Sequence, residues 1–173
     1  MSSVFGERKI EILSMSDVYD VPYMQRTRDY YRAQGYDRDY RWATHDEAPP
    51  FATLNKPLSE STLALITTAM PDNEEGRAER AVYSTAVSPI PESMYTEELS
   101  WDKNATHTND VNSFLPLLQI QNLIEAGRLG GLAPRFHSVP TTYSQRATRE
   151  EDAPEILKRC QEDGADIALL VPL

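Results

Sequence analysis

Short apolar runs mark the strands that the chain is expected to form. Residues 63–69 are an apolar run that ends before a turn, and residues 166–173 form a second one. Runs of this length, bounded by turn residues, are typical of strands buried inside a sheet. Weaker patterns predict short strands near residues 81–87 and 135–139.

Two segments between these strands carry apolar residues at helical spacing. Residues 113–127 begin at Ser113, a good N-cap. The second segment ends near residue 164 and has Asp152 or Thr148 as its cap, of which Pro154 in the first turn favours Asp152. A strand–helix–strand–helix–strand order favours right-handed parallel crossovers. The pattern therefore predicts a layered α/β domain with a parallel sheet, of the Rossmann or flavodoxin-like kind.

Residues 1–57 are expected to form an N-terminal arm, and residues 58–173 are expected to form the α/β domain. A helix is expected near residues 22–34, because Pro22 suits a first helical turn and Gly35 suits the position just past a helix. The arm is expected to wrap the domain or a partner.

Composition narrows the classes of partner and location. The formal net charge is −10, which argues against nucleic acid or an anionic membrane as partner. No apolar segment approaches the roughly 20 residues that span a bilayer. Cys160 is the single cysteine, so no internal disulfide can form, and we expect a cytoplasmic protein.

The familiar cofactor motifs are missing from the sequence. The glycines of residues 127–131 follow a predicted helix instead of opening one, so they indicate a helix end and a turn, not a phosphate loop. The three histidines, His45, His107 and His137, are far apart and have no metal-ligand companions at the usual spacing. We expect neither a metal nor a bound cofactor in this chain.

Residues 107–112 are the densest polar cluster. His107 can transfer a proton near neutral pH, and Asp110 can orient it, with Asn112 as a substrate contact. The alternative is that Asp110 and Asn112 only satisfy backbone donors at a turn and a helix cap. Both interpretations stay open on the sequence alone.

Further candidate contacts lie at predicted strand ends. Thr67 and Thr68 end the first strand, where their hydroxyls would reach a ligand, although such residues more often only pack. His137, on a short strand, is a second substrate-contact candidate, with a satisfied core histidine as the alternative. The predicted pocket lies between the segment after Thr68, the 107–112 loop, the segment after His137 and Leu173.

Several motifs in the same order resemble the selenoprotein B family of glycine, sarcosine, betaine and D-proline reductases, and more narrowly its shorter, proline-reductase-like branch. The resemblance runs from about residue 20 to the C-terminus. It rests on Tyr23-Met24-Gln25-Arg26-Thr27-Arg28, Tyr30-Tyr31, Tyr40-Arg41-Trp42-Ala43, Lys56-Pro57-Leu58-Ser59-Glu60, Leu65-Ile66-Thr67-Thr68-Ala69, His107-Thr108-Asn109-Asp110-Val111-Asn112 and Asp163-Gly164-Ala165-Asp166-Ile167-Ala168-Leu169-Leu170-Val171-Pro172.

The resemblance implies reductive cleavage of a carbon–nitrogen bond in an amino acid or amine. In that family the nucleophile belongs to a selenocysteine-x-x-cysteine motif directly after the strand equivalent to residues 167–172. This sequence reaches Leu173, and Cys160 matches neither position, so the nucleophile is not among its residues. Proline and glycine reductases also work with a pyruvoyl-containing partner subunit.

Three interpretations follow. The first is a reductase subunit whose intact form carries selenocysteine, in which case the codon after Leu173 is expected to be UGA, followed in frame by two codons, a cysteine codon and a long open frame. The second is a non-catalytic domain, truncated or repurposed, that binds a small molecule or completes a homo- or hetero-oligomer. The third is a racemase-like or lyase-like enzyme that uses His107 without a thiol.

Overall fold

The computed structural model describes residues 22–38, 46–50, 52–99, 103–142 and 144–173. Contacts divide the chain into two compact units, residues 1–48 and residues 49–173. The first unit contains helix α1, Tyr23–Ala33, which has no buried residue. Its bounds match the helix expected between Pro22 and Gly35, while Tyr40, Arg41, Trp42 and His45 lie outside the described residues.

The second unit is a mixed α/β structure around a mostly parallel sheet. Its strands are β1 (Thr62–Thr67), β2 (Met70–Pro71), β3 (Tyr83–Ala86), β4 (Met94–Tyr95), β5 (Gly131–Leu132), β6 (Arg135–Ser138) and β7 (Ile167–Val171). Its helices are α2 (Glu74–Ala78), α3 (Leu117–Glu125), α4 (Gln145–Ala147) and α5 (Ala153–Glu162), with 3-10 turns at Leu58–Glu60 and Val111–Ser113 and a π turn at Thr148–Asp152.

Strand β1 is the centre of the main sheet. β7 pairs with one side of it in parallel, from Leu63↔Ile167 to Thr67↔Val171. β5 and β6 pair in parallel with its other side, at its beginning and its end. β3 then pairs with β6 in the antiparallel direction, which the sequence pattern did not reveal, and β2 and β4 form a separate two-stranded sheet.

The two faces of the main sheet carry separate apolar clusters because side chains alternate along each strand. Leu65 and Phe136, both fully buried, face the cluster that also contains Leu117 of α3. Ala64 and Cys160 belong to the cluster on the α5 face. Full burial of one leucine or phenylalanine stabilises a fold by about 1.5–3 kcal/mol.

Two helix starts differ from the predicted ones. α3 begins at Leu117, because Val111–Ser113 first form a 3-10 turn and the Ser113 hydroxyl donates to the Asp110 carbonyl at 2.7 Å. The helical segment that contains α5 starts earlier than predicted, at α4, where the Ser144 hydroxyl accepts from the Ala147 N–H at 3.2 Å. Asp152 therefore lies within a continuous helical segment and does not cap it.

No helix of the described residues combines enough length with enough apolar character to cross a bilayer.

Candidate functional site

The carboxyl ends of β1, β6 and β7 meet at one edge of the sheet. Thr68 directly follows β1, and its hydroxyl accepts a hydrogen bond from the Leu173 N–H at 2.9 Å. Thr67 is buried, and its hydroxyl accepts from the Ala69 N–H at 3.3 Å. Since ligands of open α/β sheets bind outside the carboxyl ends of strands, this edge is the candidate site.

A small cavity of about 30 Å³ opens beside Thr68. Thr141, in the segment after β6, lines it together with four polar side chains that the sequence analysis did not single out: Arg77, Arg80, Tyr95 and Glu98. The Thr141 hydroxyl is buried and has no hydrogen-bond partner among the described residues. The cavity has room for a group the size of a carboxylate, not for a nucleotide.

Helix α2 and its neighbours bring the two arginines to this cavity. The Asn73 side chain caps α2 by accepting from the Gly76 N–H at 2.8 Å. Gly76 packs against β2 so closely that a Cβ there would lie 2.2 Å from the Pro71 carbonyl oxygen. Only glycine fits, and the next residue, Arg77, stands 4.9 Å over the Tyr95 ring.

Each arginine of the site has an acidic partner. Arg80 pairs with Glu98 through Nε and donates to the Thr141 carbonyl at 2.8 Å. Arg77 pairs with Asp72. The Ser93 hydroxyl and, after it, Arg77 hold the pKa of Asp72 below its ordinary value, so this carboxylate is ionised at neutral pH. The cavity therefore presents charges of both signs.

The 107–112 loop reaches this region through Thr108, whose hydroxyl lies 2.7 Å from that of Thr96 at the cavity. His107 and Asp110 themselves are exposed. Within the described part of the chain, His107 Nδ1 accepts from the Asn109 N–H at 3.4 Å, and no hydrogen bond joins His107 to Asp110.

Asp110 and Asn112 are placed at helix starts. Asp110 accepts from the Asn112 N–H at 3.1 Å, and the Asn112 side chain accepts from the Leu118 N–H at 3.4 Å. These are the backbone contacts expected if Asp110 and Asn112 only satisfy donors at a turn and a helix cap. Catalytic roles for His107 and Asp110, and a substrate contact at Asn112, stay predictions.

His137 is fully buried in β6. Its Nδ1 lies 2.9 Å from the Ser84 hydroxyl, and its Nε2 lies 3.6 Å from a carboxylate oxygen of Asp163. Burial holds the pKa of His137 below its ordinary value. It does not line the cavity beside Thr68, and its role as a substrate contact stays a prediction.

The periodicity of the sequence did not reveal Arg77 and Arg80, although the sequence contains a signal for them. Asn73 followed by Glu74 and Glu75 is a helix start, and Arg77 and Arg80 are three residues apart. This helix is short and lies within residues 72–112, where strand and helix periodicity is weak, so composition favoured a loop.

The described residues contain no group of three or more His, Cys, Asp or Glu side chains placed to hold a metal ion. Compared with known families, curated proteins and solved structures, the chain matches no family model, no curated protein and no solved structure.

Proposed function

We propose that this chain is the substrate-binding part of a reductase of the selenoprotein B type, and that its cavity holds the carboxylate end of a small amino acid or related amine. The observation that carries the proposal is the hydrogen bond from the Leu173 N–H to Thr68 at the cavity. In the family that the sequence resembles, the nucleophile follows the strand equivalent to β7. A nucleophile after Leu173 would stand beside the cavity.

The charges of the cavity support a zwitterionic ligand. The carboxylate of the ligand replaces Glu98 as the partner of the Arg80 guanidinium. The ammonium group of the ligand then pairs with the Glu98 carboxylate. Charge-assisted hydrogen bonds to a planar guanidinium hold a carboxylate in one orientation. The ligand is then bound through both charged ends, with its carbon–nitrogen bond towards Thr68.

Cys160 does not serve as the nucleophile in this proposal. It is buried on α5, and burial raises the pKa of its thiol, so the thiol stays protonated near neutral pH. The attacking selenol or thiol belongs to the residues after β7 in the resembled family, and a dithiol supplies the reducing electrons. His107 is the proposed proton donor, oriented by Asp110.

The finer fold proposal is a layered Rossmann or flavodoxin-like domain. β7 supports it, because Leu169 and Leu170 point to opposite faces and are 40% and 65% exposed. Parallel strands that are apolar on both faces normally lie between helix layers. A pyruvoyl-containing subunit or a second copy is the proposed partner, and the cytoplasm is the proposed location because one cysteine allows no internal disulfide.

Binding measurements test the site directly. Titration calorimetry of the full chain with glycine, sarcosine, betaine and D-proline should give binding for at least one, and none for propionate or pyrrolidine, which each lack one charged group. Arg80→Gln should weaken binding about tenfold or more, because hydrogen bonds to charged groups contribute about 1.5–3 kcal/mol. Arg128→Gln, at an exposed position after α3, is the matched control.

Turnover then separates the two leading interpretations. Reductive cleavage of the carbon–nitrogen bond that requires a dithiol, measured as product formation on a form carrying the residues after β7, supports the reductase. Zwitterion binding without turnover in that form supports the non-catalytic binding domain instead. Equal binding of propionate and the amino acids would overturn the proposed ligand class.

A further inference from the structure

A chain of polar contacts crosses the α5 face of the sheet at His137. His137 is fully buried, and its Nδ1 lies 2.9 Å from the Ser84 hydroxyl of β3. Arg159 of α5 donates to the same hydroxyl at 2.9 Å and to the Val82 carbonyl at 2.9 Å. Three elements, β3, β6 and α5, are thus joined through one serine oxygen.

The donors in this chain of contacts favour one protonation state of the imidazole. A guanidinium only donates, so the Ser84 oxygen accepts from Arg159 and its own proton is free to point at His137. When that proton points at His137, Nδ1 is the acceptor and the ring is neutral with its proton on Nε2. That nitrogen is 3.6 Å from Asp163, too far for a hydrogen bond.

Charged groups surround the ring from two elements. Arg135, on β6, binds Asp163 through two nitrogens at 2.8–3.1 Å and lies 3.5 Å from Glu162. Arg159 binds Glu155 at 2.7 Å.

Two further neighbours of the ring, from β1 and β3, are uncharged. β1 contributes Ile66, paired with His137, and β3 contributes Ser84. Cys160, the other titratable side chain on this face of α5, stays a thiol because burial raises its pKa. A proton on His137 would place a third cation beside Arg135 and Arg159.

We propose that His137 is an acid-sensitive latch that holds β3 against β6 and α5 only while its ring is neutral. A second proton on Nδ1 turns the acceptor for Ser84 into a donor, so the Ser84 hydroxyl must turn its own proton away, and a positive charge is added beside Arg159. β3 is then held mainly by its backbone pairing with β6 and opens more readily from the sheet. β6 leads to Thr141 and β3 leads into the 87–113 segment, so release also alters the two segments that border the cavity.

The direction of the pH effect follows from burial. Burial holds the pKa of His137 below its ordinary value of 6.5, so the folded state binds this proton less readily than the unfolded state. The latch is therefore fully closed above about pH 6.5 and weakens as the pH falls below it. One pKa unit between the closed and open states corresponds to a tenfold change in their ratio.

Hydrogen exchange of the full chain tests the latch. Between about pH 7.5 and about pH 5, after correction for intrinsic exchange, protection in Tyr83–Ala86 should fall about tenfold or more while β1 stays protected. His137→Gln, whose amide can accept from Ser84 and stays neutral, should abolish this change. His107→Gln, at an exposed histidine, should leave it intact.

Nitrogen NMR of the wild-type histidines keeps the test independent of any variant. His137 should show a single tautomer with its proton on Nε2 at neutral pH. A His137 ring that is charged at neutral pH, or an unchanged loss of β3 protection in a folded His137→Gln chain, would overturn the latch. If amino acids do not bind the cavity, the proposed latch at His137 is unaffected.

Discussion

β3 and β7 are two strands of the main sheet that each pair with a single neighbouring strand among the described residues, and different contacts hold them in place. β3 is antiparallel and is tied to α5 by Arg159 and Ser84. β7 is parallel to β1, and its residues 168–170 are exposed although all are apolar. Polar side-chain contacts lie at the β3 edge, whereas β7 is an apolar edge that the described residues leave largely uncovered.

Polar side-chain contacts and exposed apolar residues thus lie at different edges of the sheet. The side-chain contacts of β3 tie it to α5 within the same chain. An apolar edge without charge or bulge is open to pairing with a further strand. Among the described residues, β7 is thus an edge at which pairing with a further strand is expected.

The largest effect is expected at the strand between these edges. Leu65→Ala, at a fully buried position of β1, should lower the free energy of unfolding by about 3–5 kcal/mol through lost burial and a cavity. The same change at the 65% exposed Leu170 of β7 should cost about 0.5 kcal/mol or less. Urea unfolding of both variants checks this, and similar losses at the two positions would contradict the assigned burial.

The stability of the β3 edge is expected to depend on the Ser84 hydroxyl. Ser84→Ala leaves His137 Nδ1 and an Arg159 donor unsatisfied, so it should cost about 1–3 kcal/mol. Ser59→Ala, at an exposed position of the first 3-10 turn, should be close to neutral. Thermal unfolding of the two alanine variants side by side measures the difference, and equal midpoints would show that the Ser84 contacts do not stabilise β3.

The β7 edge is expected to affect self-association of the chain more than its free energy of unfolding. Leu170→Lys should reduce concentration-dependent self-association of the chain, since a charge on an edge strand opposes pairing with another strand. Leu157→Lys, at a 59% exposed position of α5, adds the same charge away from the edge and should change it less. Sedimentation of wild type and both variants gives the answer. A wild-type chain that remains monomeric at high concentration would contradict the idea.

The smallest effect is expected at the start of β7, where Lys56 binds Asp166 at 2.7 Å. Lys56, and after it the Thr62 N–H, hold the pKa of Asp166 below 3.8. A lowered carboxyl pKa stabilises the fold above the ordinary value and loses that stabilisation as the pH falls through the folded-state pKa. Lys56→Met should therefore flatten the acid side of the melting profile below about pH 4. An unchanged profile would show that the pair contributes nothing.

Local patterns were sufficient for several regular elements of this protein, but not for α2, β2, β4 or β5. The apolar run at residues 63–69 contains most of β1, and Gly127, at φ 66°, ends α3 as its position predicted. The pairing of the strands could not be predicted from local patterns. The antiparallel direction of β3 depends on contacts with β6, which lies about 50 residues later in the chain. The sequence likewise named Thr68 but not Arg77 or Arg80, since Arg77 lies in a helix of only five residues and Arg80 follows that helix.

The sequence by itself therefore determined the mixed α/β class, the apolar runs that become β1 and β7, and the position of Thr68 at a strand end, because each depends on residues adjacent along the chain. Only the tertiary structure decided which side chains share a site. It placed Arg80 and Glu98 beside Thr68, and His137 between Ser84 and Asp163 instead of at the cavity. Such contacts join residues distant along the chain, and their geometry is set by packing, which no local periodicity encodes.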